Sequence, residues 1–145
     1  MNFKNLISIL FFGLLLLTGC TEEADIVPQD QSLNGTWNLK NLSGCFAGIN
    51  ENYSNGTITW TFNSQNQNIV VVNNNEASTQ FIYDSGTYNY SIIEINNQKY
   101  LQIDNGEYGG LNISNNNLVI DQDIISNGVG ADGFILNFEK INSSQ

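Results

Sequence analysis

Thr57-Ile58-Thr59-Trp60-Thr61-Phe62 alternates threonines with large apolar residues. Successive side chains of a strand point to opposite faces, so this stretch sets Ile58, Trp60 and Phe62 on a buried face and three hydroxyls on a solvated one. A helix would scatter the same residues around its circumference. The stretch therefore decides for β-structure.

Its neighbours follow the same rule. Upstream, Gly35-Thr36-Trp37-Asn38-Leu39-Lys40 turns Trp37 and Leu39 inward. Downstream, strands are expected at 69–72, 79–83, 86–95, 100–103, 108–113, 118–122 and 134–141, and no stretch carries a helical period. The links at 63–68, 73–75, 85–86, 96–97, 105–106 and 115–117 are rich in Asn, Gly and Ser, which suits hairpins because Asn and Gly tolerate positive φ. Sequential hairpins predict an all-β chain, an antiparallel up-and-down β-barrel of about eight strands, and closure removes the edges that would otherwise pair with neighbours. Two connections are longer, 43–55 and 123–132, and long loops on a barrel tend to sit at the functional mouth. In the first, Gly44, Phe46, Gly48 and Ile49 are apolar enough to fold inward as a lid or plug, and the lone Cys45 among them is either a buried small apolar residue, which its apolar neighbours favour, or a reactive thiol.

The start of the chain is of a different kind. Lys4 supplies a basic region, and 6–17 is an apolar run broken only by Ser8 and Gly13, the layout of a secretory signal. The run is shorter than the roughly 20 apolar residues of a membrane span. It ends in Leu17-Thr18-Gly19-Cys20, which resembles the lipobox of bacterial lipoproteins. That resemblance implies cleavage of 1–19, acylation of Cys20 and membrane attachment through its lipid. Thr21 stands where inner-membrane lipoproteins carry aspartate, which implies the outer membrane, and Glu22, Glu23 and Asp25 resemble an export tag to the cell surface. The face is left open, periplasmic or exterior. Residues 20–32 read as a flexible acidic tether, too polar to join a core, and 33–145 as the barrel domain.

Composition narrows the chemistry. The chain holds 14 Asp plus Glu against 4 Lys, with no Arg and no His, and loss of Lys4 with the leader takes the formal net charge from −10 to −11. Such a surface repels phosphate backbones, so nucleic acid is not an expected partner. Without imidazole there is no Ser-His-Asp or Cys-His pair and no His-ligated zinc, so no cofactor or metal is expected. Carboxylate pairs such as Glu94 with Asp104, or Glu107 with Asp121, could in principle serve glycoside hydrolysis, but acids this sparse, falling at turns and strand exteriors, read better as solvated groups. The acidic loop from Asp121 to Asp132 lacks the EF-hand spacing, with Ile125 and Ser126 where a ligand and the turn glycine would stand. The expectation is a non-enzymatic monomer.

Gly35-Thr36-Trp37, about eight strands, and a closing Asp132-Gly133-Phe134 with alternating Leu136 and Phe138 together resemble a bacterial lipocalin-like domain over about 33–141. The resemblance implies that Gly35 and Trp37 close one end of the barrel, with the indole packed under a cation from the last strand. That cation is usually arginine; here Lys140 takes the place. It also implies a small hydrophobic ligand held between the strands. The candidate lining is Ile58, Trp60, Phe62, Phe81, Tyr83, Tyr88, Tyr90 and Leu101, with Val70, Val72, Ile92, Ile103, Leu118 and Ile120 expected to point the same way. Tyrosines in an apolar interior need hydrogen-bond partners and can orient a ligand's polar end. An eight-stranded barrel is also just wide enough to be filled by its own side chains. A surface structural or protein-interaction module with a packed core and no ligand stays open as the alternative.

Overall fold

The computed structural model describes residues 25–26, 32–44, 48–75 and 82–142. The strands in chain order are β1 (Asp25–Ile26), β2 (Gly35–Gly44), β3 (Ile49–Asn52), β4 (Ile58–Asn63), β5 (Asn68–Asn73), β6 (Gly86–Ile95), β7 (Gln98–Ile103), β8 (Gly106–Ser114), β9 (Asn117–Asp121) and β10 (Phe134–Lys140). No helix occurs among the described residues.

Eight strands pair antiparallel in the order β2-β4-β5-β6-β7-β8-β9-β10, and β10 pairs back on β2. The fold is a closed antiparallel up-and-down barrel, compatible with a lipocalin-like fold. Its hairpins are tight where the sequence offers two residues able to hold positive φ: Asn96 (52°) with Asn97 (64°), and Asp104 (49°) with Asn105 (69°). Alternation of direction puts the first residues of β2, the last of β10 and the turns β4–β5, β6–β7 and β8–β9 at one end. The connections β2–β4, β5–β6, β7–β8 and β9–β10 are at the other, so both long loops sit together.

The two short strands have a geometric cause. β2 and β6 each run 10 residues, while their neighbours β4 and β5 run 6. The overhanging part of β2 is covered by β3 (Leu42↔Glu51) and that of β6 by β1 (Ile26↔Ile93). Backbone donors and acceptors that would form an exposed edge are paired instead.

Three expectations need correction. β2 does not stop at Lys40. The register steps from Leu39↔Phe138 to Asn41↔Asn137, leaving Lys40 as an extra residue in a β-bulge. The bulge reverses the alternation, so that Leu39 and Leu42 both point inward, and this hides the strand's second half from a period-two reading. Consequently the stretch expected as the loop 43–55 contains the strand β3. In β5, Val70 and Val72 are 40% exposed while Ile69 and Val71 are buried. The run 69–72 is apolar throughout and carries no phase of its own. The pairings Trp60↔Val71 and Phe62↔Ile69 supply it. Finally, Ile82 and Tyr83 belong to no strand, and 79–81 lie outside the described residues.

Candidate functional site

At one end Gly35, Trp37 and Lys140 come together. Trp37 is fully buried and its Nε1 donates to the Leu33 carbonyl at 2.7 Å. Lys140 stands opposite Trp37 in the β2–β10 register, its Nζ 5.0 Å from the ring centroid, and Nζ also donates to the Ser32 carbonyl at 2.9 Å. Gly35 begins β2 beside the Lys140 stem. The indole nitrogen and the ammonium of this plug are both partnered.

From the level of this plug toward the other end, a connected group of aromatic rings occupies the interior. Trp60 lies 5.2 Å from Phe138, 5.7 Å from Tyr108, 6.1 Å from Phe62 and 6.2 Å from Tyr83, measured between centroids. Tyr90 meets Phe62 edge-on at 5.3 Å, and Tyr83 meets Tyr88 at 4.6 Å and Tyr108 at 5.4 Å. Tilted and edge contacts of this kind suit the ring quadrupoles. Of the expected lining, Ile58, Trp60, Phe62, Tyr90 and Leu101 are buried, and Tyr83 and Tyr88 are partly buried against the core. Phe81 lies outside the described residues, as do Cys20 and Cys45.

The cluster differs from the plug in its polar atoms. Trp60 Nε1, Tyr90 Oη and Tyr108 Oη are buried with no hydrogen-bond partner among the described residues. Leaving such a group unpaired costs about 1–3 kcal/mol. Burial pushes the Tyr108 phenol above its ordinary value of 10, and the neighbouring Tyr83 adds to the shift. The nearby Gln122 side chain pulls the other way, although Tyr108 Oη has no partner that meets hydrogen-bond geometry. Tyr83 is raised by burial and then by the charge of Asp104, and Tyr90 by burial. Tyr88, by contrast, is satisfied, donating to the Asp84 carbonyl at 2.9 Å.

No family model, curated protein or solved structure matches this chain. The site is therefore characterised by its own geometry.

Tyr108 was not among the residues expected to line the interior. The β7–β8 register passes from Leu101↔Gly109 to Gln102↔Glu107, so Tyr108 is the extra residue of a second β-bulge, the device that re-aims a side chain next to a site. Its sequence signal is the following Gly109-Gly110. Gly109 holds φ +151°, and a Cβ there would stand 2.5 Å from the Asp121 carbonyl oxygen.

The acids of the long loop have structural work. Asp121 Oδ1 accepts from Asp123 N at 2.9 Å, Asp123 Oδ1 from Gly133 N at 2.8 Å, and both Glu107 carboxylate oxygens accept from Ser126. Asp104 accepts from Asn89 N at 3.0 Å. Among the described residues no group of three or more His, Cys, Asp or Glu is placed to hold a metal ion.

Proposed function

We propose that this chain is a bacterial lipoprotein, anchored in the outer membrane through Cys20, whose lipocalin-like barrel binds a small hydrophobic molecule and performs no catalysis. The anchor rests on the Leu17-Thr18-Gly19-Cys20 motif behind its basic and apolar leader. Binding rests on one observation: three buried polar groups, Trp60 Nε1, Tyr90 Oη and Tyr108 Oη, stand unpartnered in a single aromatic cluster inside a closed barrel. Cores rarely keep such groups without a reason. A molecule with an apolar body and one or two polar atoms would bury its body against the rings and satisfy them.

A solid core serving only as a surface module is the competing reading, supported by the complete burial of Trp60, Ile58 and Leu101. Native mass spectrometry of the lipidated protein from its own host separates the two. The expected spectrum carries, beyond the acyl mass on Cys20, a non-covalent adduct of a few hundred daltons that is lost on collisional activation. A spectrum showing the acylated chain alone, together with no uptake of added apolar probes, favours the solid core. Palmitate labelling that survives Cys20→Ala would overturn the anchor.

A further inference from the structure

The unpartnered atoms specify more than apolarity. On the reading that the barrel holds a small hydrophobic molecule, we propose that the polar end of this ligand is an uncharged hydrogen-bond acceptor, a ketone, ester or similar carbonyl oxygen, and that long-chain carboxylates are rejected.

The indole Nε1 of Trp60 is a donor only, so whatever meets it must accept. The hydroxyls of Tyr108 and Tyr90 can donate or accept, and burial keeps both phenols protonated and able to donate. A carbonyl oxygen carried on an apolar body needs one donor and brings its own apolar surroundings.

Charge excludes the alternative acceptor. A carboxylate accepts as well as a ketone but must be compensated when buried, at a cost of several kcal/mol otherwise. The chain has no Arg and no His. Of the described lysines, Lys140 lies over Trp37 at the closed end, and Lys40 bonds Asn55 at 2.6 Å with Glu139 at 3.8 Å. Lys99 is the second residue after the Asn96-Asn97 turn, opposite Glu94 and at the same closed end. None serves the aromatic cluster. The formal charge whose field acts on the cluster is instead negative, Asp104 beside Tyr83. Anions meet three donors, no cation and a repelling carboxylate.

The test uses three probes of matched chain, 2-undecanone, undecanoate and undecane, titrated at pH 8 into the full lipidated protein held in amphipol, with binding read from Trp fluorescence and by calorimetry. The ketone is expected to bind about tenfold tighter than undecanoate and about fivefold or more tighter than undecane, the advantage of one or two satisfied donors. Tyr108→Phe and Trp60→Phe each keep a ring and remove a donor, so each is expected to bring the ketone toward undecane while undecane binding stays. Undecanoate binding as tightly as the ketone, or a ketone affinity that neither variant changes, overturns the inference and leaves a ligand-binding barrel. If none of the three probes binds, the barrel is filled and the underlying reading falls with it. A variant that also loses undecane has lost its fold, and the ketone-to-undecanoate ratio on the unaltered chain then decides.

Discussion

Trp37 and Trp60 face each other across β2 and β4, both completely buried, yet their indole nitrogens have opposite fates. The Trp37 N–H donates to Leu33 and its ring carries the Lys140 ammonium, while the Trp60 N–H donates to nothing among the described residues. Two side chains of one type, directly paired across neighbouring strands, thus mark a finished plug toward one end and an unfinished cluster toward the other. A satisfied indole fixes structure. An unsatisfied one carries a desolvation cost that an acceptor would relieve.

The sharpest way to break this contrast is at the finished end. Trp37→Ala deletes the plug, leaves the Leu33 carbonyl without its donor and takes the ring from under Lys140. The expected cost is about 3–5 kcal/mol in urea unfolding, the range for removing a buried tryptophan or phenylalanine. Trp60→Phe should cost less than Trp37→Phe, since both trim a buried ring but only the Trp37 nitrogen has a partner to lose. Equal costs for Trp37→Phe and Trp60→Phe would erase the distinction between the two ends.

A smaller effect distinguishes the ends by pH. The folded-state pKa of Tyr108 is raised above 10 by burial, so the folded protein keeps a proton that the unfolded chain releases near pH 10. Stability is therefore fully present below pH 10 and falls as pH rises above it, with a slope of up to about 1.4 kcal/mol per pH unit from this phenol. Tyr108→Phe should flatten the alkaline limb of a stability-against-pH curve, and Trp37→Phe should leave its slope alone. A Tyr108→Phe limb as steep as that of the unaltered chain would mean that the hydroxyl is not desolvated.

The two ends were also unequally legible. Gly35-Thr36-Trp37 and Lys140 could be placed from sequence because a strand start, a strand end and a resemblance all pointed to the same contact, and the structure brings them to 5.0 Å. Ile58, Trp60 and Phe62 were legible from alternation alone. What alternation cannot see is a residue that breaks it. The extra residues Lys40 and Tyr108 each reverse the phase of a strand, and this hid the second half of β2 and the inward aim of Tyr108. Val70 and Val72 failed for a related reason: in an all-apolar run the face is assigned by the partner strand, which no local window contains.

The smallest predicted effect probes what holds the finished end closed. The Lys140 stem is partly buried but its ammonium bond is exposed, so the ammonium over Trp37 is worth about 0.5–1 kcal/mol, and its bond to the Ser32 carbonyl adds to that. Lys140→Met keeps most of the stem against the indole and removes the charge, and should lower stability by about 1 kcal/mol in urea. Lys140→Arg should restore it, because a planar guanidinium stacks on an indole and still reaches a carbonyl. If Met cost nothing, the plug would stand on packing and the Leu33 hydrogen bond alone. If Arg failed to restore what Met removed, the geometry of the Ser32 contact rather than the cation over the ring would set the closure. Neither change should move ligand affinity, since Lys140 and the Trp60 cluster share no polar contact; a shift in affinity would show that the two ends are one site.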